Sequence, residues 1–231
     1  MSTAEDPHGD IEVLASGPPP GPGIRALIAL HGRGAEAGQM RELGVMLAPE
    51  RLVLAPQGQG RTWYPESFMA PLERNRPHLD SALAAVDRIV SELEGEGVER
   101  ERVAIVGFSQ GACLALEYVV RHPARYDAVI AFSGGLIGPP GTDWKDGKSL
   151  ASTPVLLGCG DRDPHIPIER VRESEEACRA RGGAVDLRVY PGMGHALNAD
   201  EMGAARALLA PVGAGREPGA DESRSEGDGR A

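Results

Sequence analysis

Ser109 stands in Gly107-Phe108-Ser109-Gln110-Gly111, and a Gly-x-Ser-x-Gly pentad presents a hydroxyl for nucleophilic attack when it lies on a sharp strand-to-helix turn. A serine hydroxyl attacks poorly near neutral pH, so it needs a base to take its proton and an acid to orient that base. His195, in Gly192-Met193-Gly194-His195, is the candidate base, because a Gly-flanked loop can swing an imidazole toward the serine. Its plainer reading is a histidine that caps the terminal helix. Two carboxylates compete as the acid in Gly160-Asp161-Arg162-Asp163-Pro164. Asp161 suits a loop cap that accepts backbone N–H groups. Asp163 stands further along the loop, where it can reach His195, and is the preferred acid.

Acyl transfer also needs donors for the oxyanion, and losing one typically costs roughly 10² to 10³ in rate. The N–H of Gln110, directly after the nucleophile, is the first expected donor. The second is expected from His31-Gly32-Arg33-Gly34, with the Arg33 N–H as donor and His31 shaping the loop. His8, His78, His122 and His165 lack such a context and are expected to be solvent-facing or structural. Trp63, Tyr64, Phe68 and Met69 lie in an irregular stretch; they either fill the core or wall an acyl or aryl pocket. Trp144 is a similar case.

Elements that could hold these groups together follow from hydrophobic patterning. Arg25 to Leu30 and Val103 to Val106 read as continuous apolar runs of strand length, as suits strands buried on both faces of a parallel sheet. Further strands are expected at Leu52–Ala55, Asp127–Phe132, Pro154–Cys159 and Val185–Tyr190, with a short one at Ile11–Leu14. Between Leu79 and Glu94, apolar residues recur at Leu79, Leu83, Val86, Ile89, Val90 and Leu93, a helical stripe. Other helices are expected over 38–47, after the elbow, over 168–181, and from the last loop to about Leu209. Strand and helix alternate throughout. The expectation is one α/β domain over 24–211, a mainly parallel sheet covered on both faces, with its site at the carboxyl ends of the strands. Residues 1–23 read as a Pro/Gly-rich extension and 212–231, without apolar anchors, as a disordered tail.

The chain's 231 residues and 41% hydrophobic content support a single sizeable core. No apolar run approaches the ~18 to 20 residues of a membrane helix, and the acidic, polar start lacks signal-peptide features, so a cytoplasmic protein without membrane insertion is expected. A net charge of −10 argues against nucleic acid or an anionic membrane surface as partner. Cys113, Cys159 and Cys178 are odd in number and lack metal-ligand spacing, so all three are read as reduced thiols. The sequence sets no oligomeric state; a homodimer is the self-association it allows.

Taken together, His31-Gly32-x-Gly34, Gly107-Phe108-Ser109-Gln110-Gly111-Ala112, Asp161-x-Asp163-x-x-Ile166-Pro167 and Gly194-His195 resemble the phospholipase/carboxylesterase family, small α/β hydrolases that include acyl-protein thioesterases. The order Ser109, Asp163, His195 is also the nucleophile–acid–base order of that fold. The resemblance implies no large cap domain and no metal or organic cofactor. It implies hydrolysis of carboxylic esters or thioesters by Ser109, Asp163 and His195, with Arg33 and Gln110 amides as the oxyanion hole and Trp63 and Tyr64 lining the site. Two departures, Ala35-Glu36-Ala37 after the glycine loop and the short Gln57-to-Thr62 stretch before Trp63, favour small-molecule esters over acylated proteins. A thioesterase or lysophospholipase is the rival within the class. A catalytically silent ligand-binding protein on the same fold is the rival outside it.

Overall fold

Five-residue runs with no exposed side chain, β2 (Ala26–Leu30) and β5 (Ala128–Phe132), must be covered on both faces. The computed structural model, which describes residues 6–211, shows how. With β1 (Val13–Ser16), β3 (Leu52–Pro56), β4 (Val103–Phe108), β6 (Pro154–Gly160) and β7 (Ala184–Tyr190) they form a seven-stranded sheet in the order β1-β3-β2-β4-β5-β6-β7. All neighbouring pairs are parallel except β1 with β3.

The side-chain alternation of a strand divides its apolar residues between two cores. Leu27, Ala29, Val106 and Ile130 pack under α1 (Ala37–Leu47) and α5 (Ala199–Leu209). Ile28, Leu30, Ile105 and Val129 pack under α2 (His78–Gly95) and α3 (Gln110–Arg121), with α4 (Ile168–Ala180) completing that side. All six residues of the stripe predicted on α2 are buried in this second core.

The chain runs outward from β2 to β3, then returns to place β4 on the other side of β2. The carboxyl ends of β2 and β4 therefore flank a switch point, where open α/β sheets bind ligands. Opposite that rim the elements are tied by Asp127, whose carboxylate accepts from Arg25 at 2.6 Å and from the buried Arg51 at 2.5 Å. Arg51 also donates to the Leu209 carbonyl at the end of α5.

The first strand lies at Val13–Ser16, two residues later than the predicted Ile11–Leu14. Its position is set by antiparallel pairing, Val13 opposite Pro56 and Ser16 opposite Val53, rather than by its own hydrophobicity. That pairing makes part of 1–23 an integral sheet edge. The tail predicted at 212–231 lies outside the described residues. No helix among the described residues is long and apolar enough to cross a membrane.

Candidate active site

Ser109 joins the end of β4 to the start of α3 with φ 56° and ψ −118°. A non-glycine residue in that region stores roughly 1–3 kcal/mol and persists only where its surroundings impose it. Here they do. Its N–H donates to the Phe132 carbonyl at 2.9 Å, and its carbonyl accepts from Cys113 N–H at 3.0 Å. Two glycines make room for the turn. A Cβ on Gly107 would lie 2.3 Å from the Gly111 carbonyl group, and one on Gly111 would lie 2.1 Å from the Leu30 oxygen. The pentad is thus a steric requirement of packing α3 against β2 and β4.

The loop after β6 brings Asp163 to His195. His195 Nδ1–H donates to Asp163 Oδ2 at 2.7 Å, while Oδ1 accepts N–H groups of His165 at 2.8 Å and Ile166 at 3.0 Å. The Asp163 side chain is fully buried. Burial alone would raise its pKa, but the hydrogen bond from His195 and the two backbone donors together hold it below the ordinary value. With Nδ1 donating, the lone pair of a neutral His195 sits on Nε2. The ring is held between Phe108 and His165, both at 4.9 Å between centroids. Asp161 serves the other purpose considered for it, accepting the Gly192 N–H at 2.6 Å. It pins the 191–194 turn that carries His195, and Arg162 N–H donates to the Met193 carbonyl at 3.0 Å beside it.

On the other side of Ser109 the loop after β2 is shaped by His31, which is fully buried. Its Nδ1–H donates to the Gly32 carbonyl at 2.8 Å and its Nε2 accepts the Gly58 N–H at 2.9 Å. Burial lowers its pKa, favouring the neutral ring that this pairing requires. The Arg33 N–H has no backbone partner among the described residues. As the first residue of α3, Gln110 has an N–H that no intrahelical carbonyl can reach. Both expected oxyanion donors are thus left unpaired by the backbone.

Ser109, His195, Arg33, Tyr64, Phe68 and His165 are among the walls of one open cleft of about 430 Å³. Trp63 is not. Fully buried, it donates from Nε1 to the His31 carbonyl at 2.8 Å and stacks on the His31 ring at 4.8 Å, behind the loop rather than facing the cleft. The expected Trp63–Tyr64 lining is corrected to Tyr64 alone, with Trp63 as its support. Trp144 is likewise absent from these walls, lying buried with the Arg170 guanidinium 4.9 Å from its ring centroid.

His165 is exposed, in line with its expected solvent-facing position, but it also lines the cleft beside His195, a placement not expected of it. Its place two residues after Asp163 was the available signal, since a loop that delivers an acid to the site delivers its neighbours too. The Gln110 side chain was also missed. Its Oε1 accepts from Trp63 N–H at 2.9 Å and Thr62 O–H at 3.1 Å, and its Nε2 donates to the Tyr64 carbonyl at 2.8 Å. His8 is structural, as one branch of its expectation had it: buried, donating from Nε2 to the Trp63 carbonyl at 3.0 Å. All three cysteines are free and buried, and burial pushes each thiol up to about 12.

The sequence model of the phospholipase/carboxylesterase family matches residues 19–212. Esterase YpfH of Escherichia coli is 30% identical over 196 residues, covering 80% of this chain and 81% of its own. Acyl-protein thioesterase 1 of Saccharomyces cerevisiae is 31% identical over 128 residues, 53% of this chain and 55% of its own. Among solved structures, a phospholipase/carboxylesterase from Dyadobacter fermentans superposes with a TM-score of 0.83 at 40% identity, covering 87% of this chain and 97% of that one. With the fold, the strained Ser109 turn and these similarities in hand, the chain belongs to the phospholipase/carboxylesterase family of α/β hydrolases and is a serine hydrolase acting on esters.

Proposed function

We propose that this enzyme hydrolyses small-molecule carboxylic esters with Ser109 as nucleophile, His195 as general base and Asp163 as the acid that orients it. The observation that carries the reading is the 2.7 Å bond from His195 to Asp163, with His195 and Ser109 on the walls of one cleft. As Ser109 Oγ attacks the ester carbonyl, its proton passes to His195 Nε2 and the carbonyl oxygen becomes an oxyanion. The N–H groups of Arg33 and Gln110 receive that charge. The Asp163 carboxylate stabilises the imidazolium without taking its proton. Collapse of the tetrahedral adduct breaks the ester C–O bond, and the imidazolium gives its proton to the departing alcohol. Water then attacks the acyl-enzyme, its proton going to His195, and the acid product leaves with Ser109 O–H restored.

Tyr64 and Phe68 supply the apolar wall for the substrate, and Trp63 supports it from behind. The test is covalent labelling with a fluorophosphonate, followed by turnover of oxygen and sulfur esters of graded acyl length. Labelling at Ser109, lost in Ser109→Ala, with faster turnover of short oxygen esters is the expected result. Turnover retained in a folded Ser109→Ala variant overturns the proposal. A preference for long thioesters would assign the site to an acyl thioesterase instead.

A further inference from the structure

The walls of the cleft carry a cation that the ester chemistry above does not use. Arg33 is exposed, and its guanidinium reaches from the loop after β2 to the 65–66 backbone, where Nη1 donates to the Pro65 carbonyl at 2.8 Å and Nη2 to the Glu66 carbonyl at 2.7 Å. Two neutral carbonyls fix the charge in place without cancelling it. Among the described residues Arg33 forms no ion pair with a carboxylate. The carboxylate on the same walls, that of Glu66, faces Arg74 at 3.5 Å. The sheet order puts Arg33, after β2, on one side of Ser109, and the loops after β6 and β7 that carry His165 and His195 on the other. Tyr64, Phe68 and Ile166 are uncharged members of the same walls.

We infer that Arg33 makes this cleft selective for esters that bear a carboxylate close to the scissile group. A guanidinium has five N–H donors in a planar fork, so donors remain after the two wall contacts to pair with a carboxylate. In a chain of net charge −10, long-range attraction would not bring in such a substrate, and a local cation is required to hold it. The inference rests on the hydrolase reading above and narrows its substrate class.

The test compares kcat/KM within matched pairs, followed by pH-stat titration. One pair is the monomethyl ester of a short dicarboxylic acid and the methyl ester of the monocarboxylic acid of equal length, which puts the charge on the acyl side. The other is an O-acetyl hydroxy acid and the acetate of the matching plain alcohol, which puts it on the leaving side. In at least one pair the wild type should favour the charged ester by about fivefold, the upper end for one charge-assisted contact at an open site. Arg33→Gln should bring that ratio near unity, Arg33→Lys should keep part of it, and raised ionic strength should shrink it. Because the ratio is taken within one protein, any common effect of the substitution on the oxyanion loop cancels. If Arg33 is only a brace between two walls, both esters slow alike and the ratio survives in Arg33→Gln, which overturns the inference. A wild-type ratio near unity in both pairs, with the neutral esters turned over, overturns it and leaves the hydrolase reading standing. Failure to turn over any ester, together with no fluorophosphonate labelling, defeats the reading itself and the inference with it.

Discussion

Gln110 Oε1 accepts the Trp63 N–H at 2.9 Å, so the residue that follows the nucleophile also holds the segment that backs the cleft. Its backbone and its side chain serve different ends. Replacing it by Ala keeps the proposed oxyanion N–H but leaves the buried Trp63 N–H, among others, without its partner. A buried donor left unsatisfied costs about 1–3 kcal/mol. Gln110→Ala should therefore lower the denaturation midpoint and raise KM more than it lowers kcat, as read by urea unfolding and steady-state kinetics.

The two loop carboxylates should separate cleanly by kinetics. Asp163→Asn replaces the acceptor of His195 Nδ1–H and favours the wrong tautomer, with an expected loss of roughly 10³ to 10⁴ in kcat. Asp161→Ala releases only the Gly192 N–H and so loosens the turn carrying His195. Its expected loss is about tenfold, since positioning is impaired while the acid remains. Equal losses in the two variants would contradict this division of roles.

Glu201 predicts the pH dependence of stability. It sits on α5 with one carboxylate oxygen accepting the Asn198 N–H at 3.0 Å and the other buried without a partner. Burial pushes its pKa up to about 7, so the folded state favours the protonated acid. A raised folded pKa gives stability that is complete below the unfolded value, ~4.3, and is lost as pH rises through about 7. Asp163 acts oppositely: its lowered pKa gives stability that is present above the ordinary carboxylate value and lost on further acidification. The wild type should be most stable on the acid side of neutrality. Glu201→Gln should gain on it steadily between pH 5 and 8 in thermal melts, and a constant gap across that range would contradict the assignment.

Gly111→Ala tests whether the pentad is steric. Its new Cβ would meet the Leu30 backbone oxygen at 2.1 Å, and backbone cannot step aside as a flexible side chain can. A destabilisation of about 3 kcal/mol or more is expected by denaturant unfolding, with the loss of turnover following from the displaced Ser109.

Much of this was readable along the chain because strands buried on both faces write themselves as apolar runs and α2 writes itself as a stripe. The separation of Asp163 from Asp161 was legible as well, from how far along the loop each stands. What escaped were contacts between distant positions. Trp63 and His31 are stacked because the loops after β2 and β3 are neighbours in the sheet, and no local pattern encodes which way an indole in an irregular segment will turn. The side-chain reach of Gln110 to residues 62–64 and the place of His165 on the cleft wall depend on the same kind of juxtaposition. The early strand was displaced because an edge strand takes its register from its partner.

His8 lies 55 positions from Trp63 in the chain, yet it holds that residue's carbonyl, and Trp63 in turn backs the loop that precedes Arg33. The segment around His8 is therefore part of the scaffold behind the cleft. Trimming it back to the first long strand, or crowding it with a bulky fusion, will register as a change in turnover.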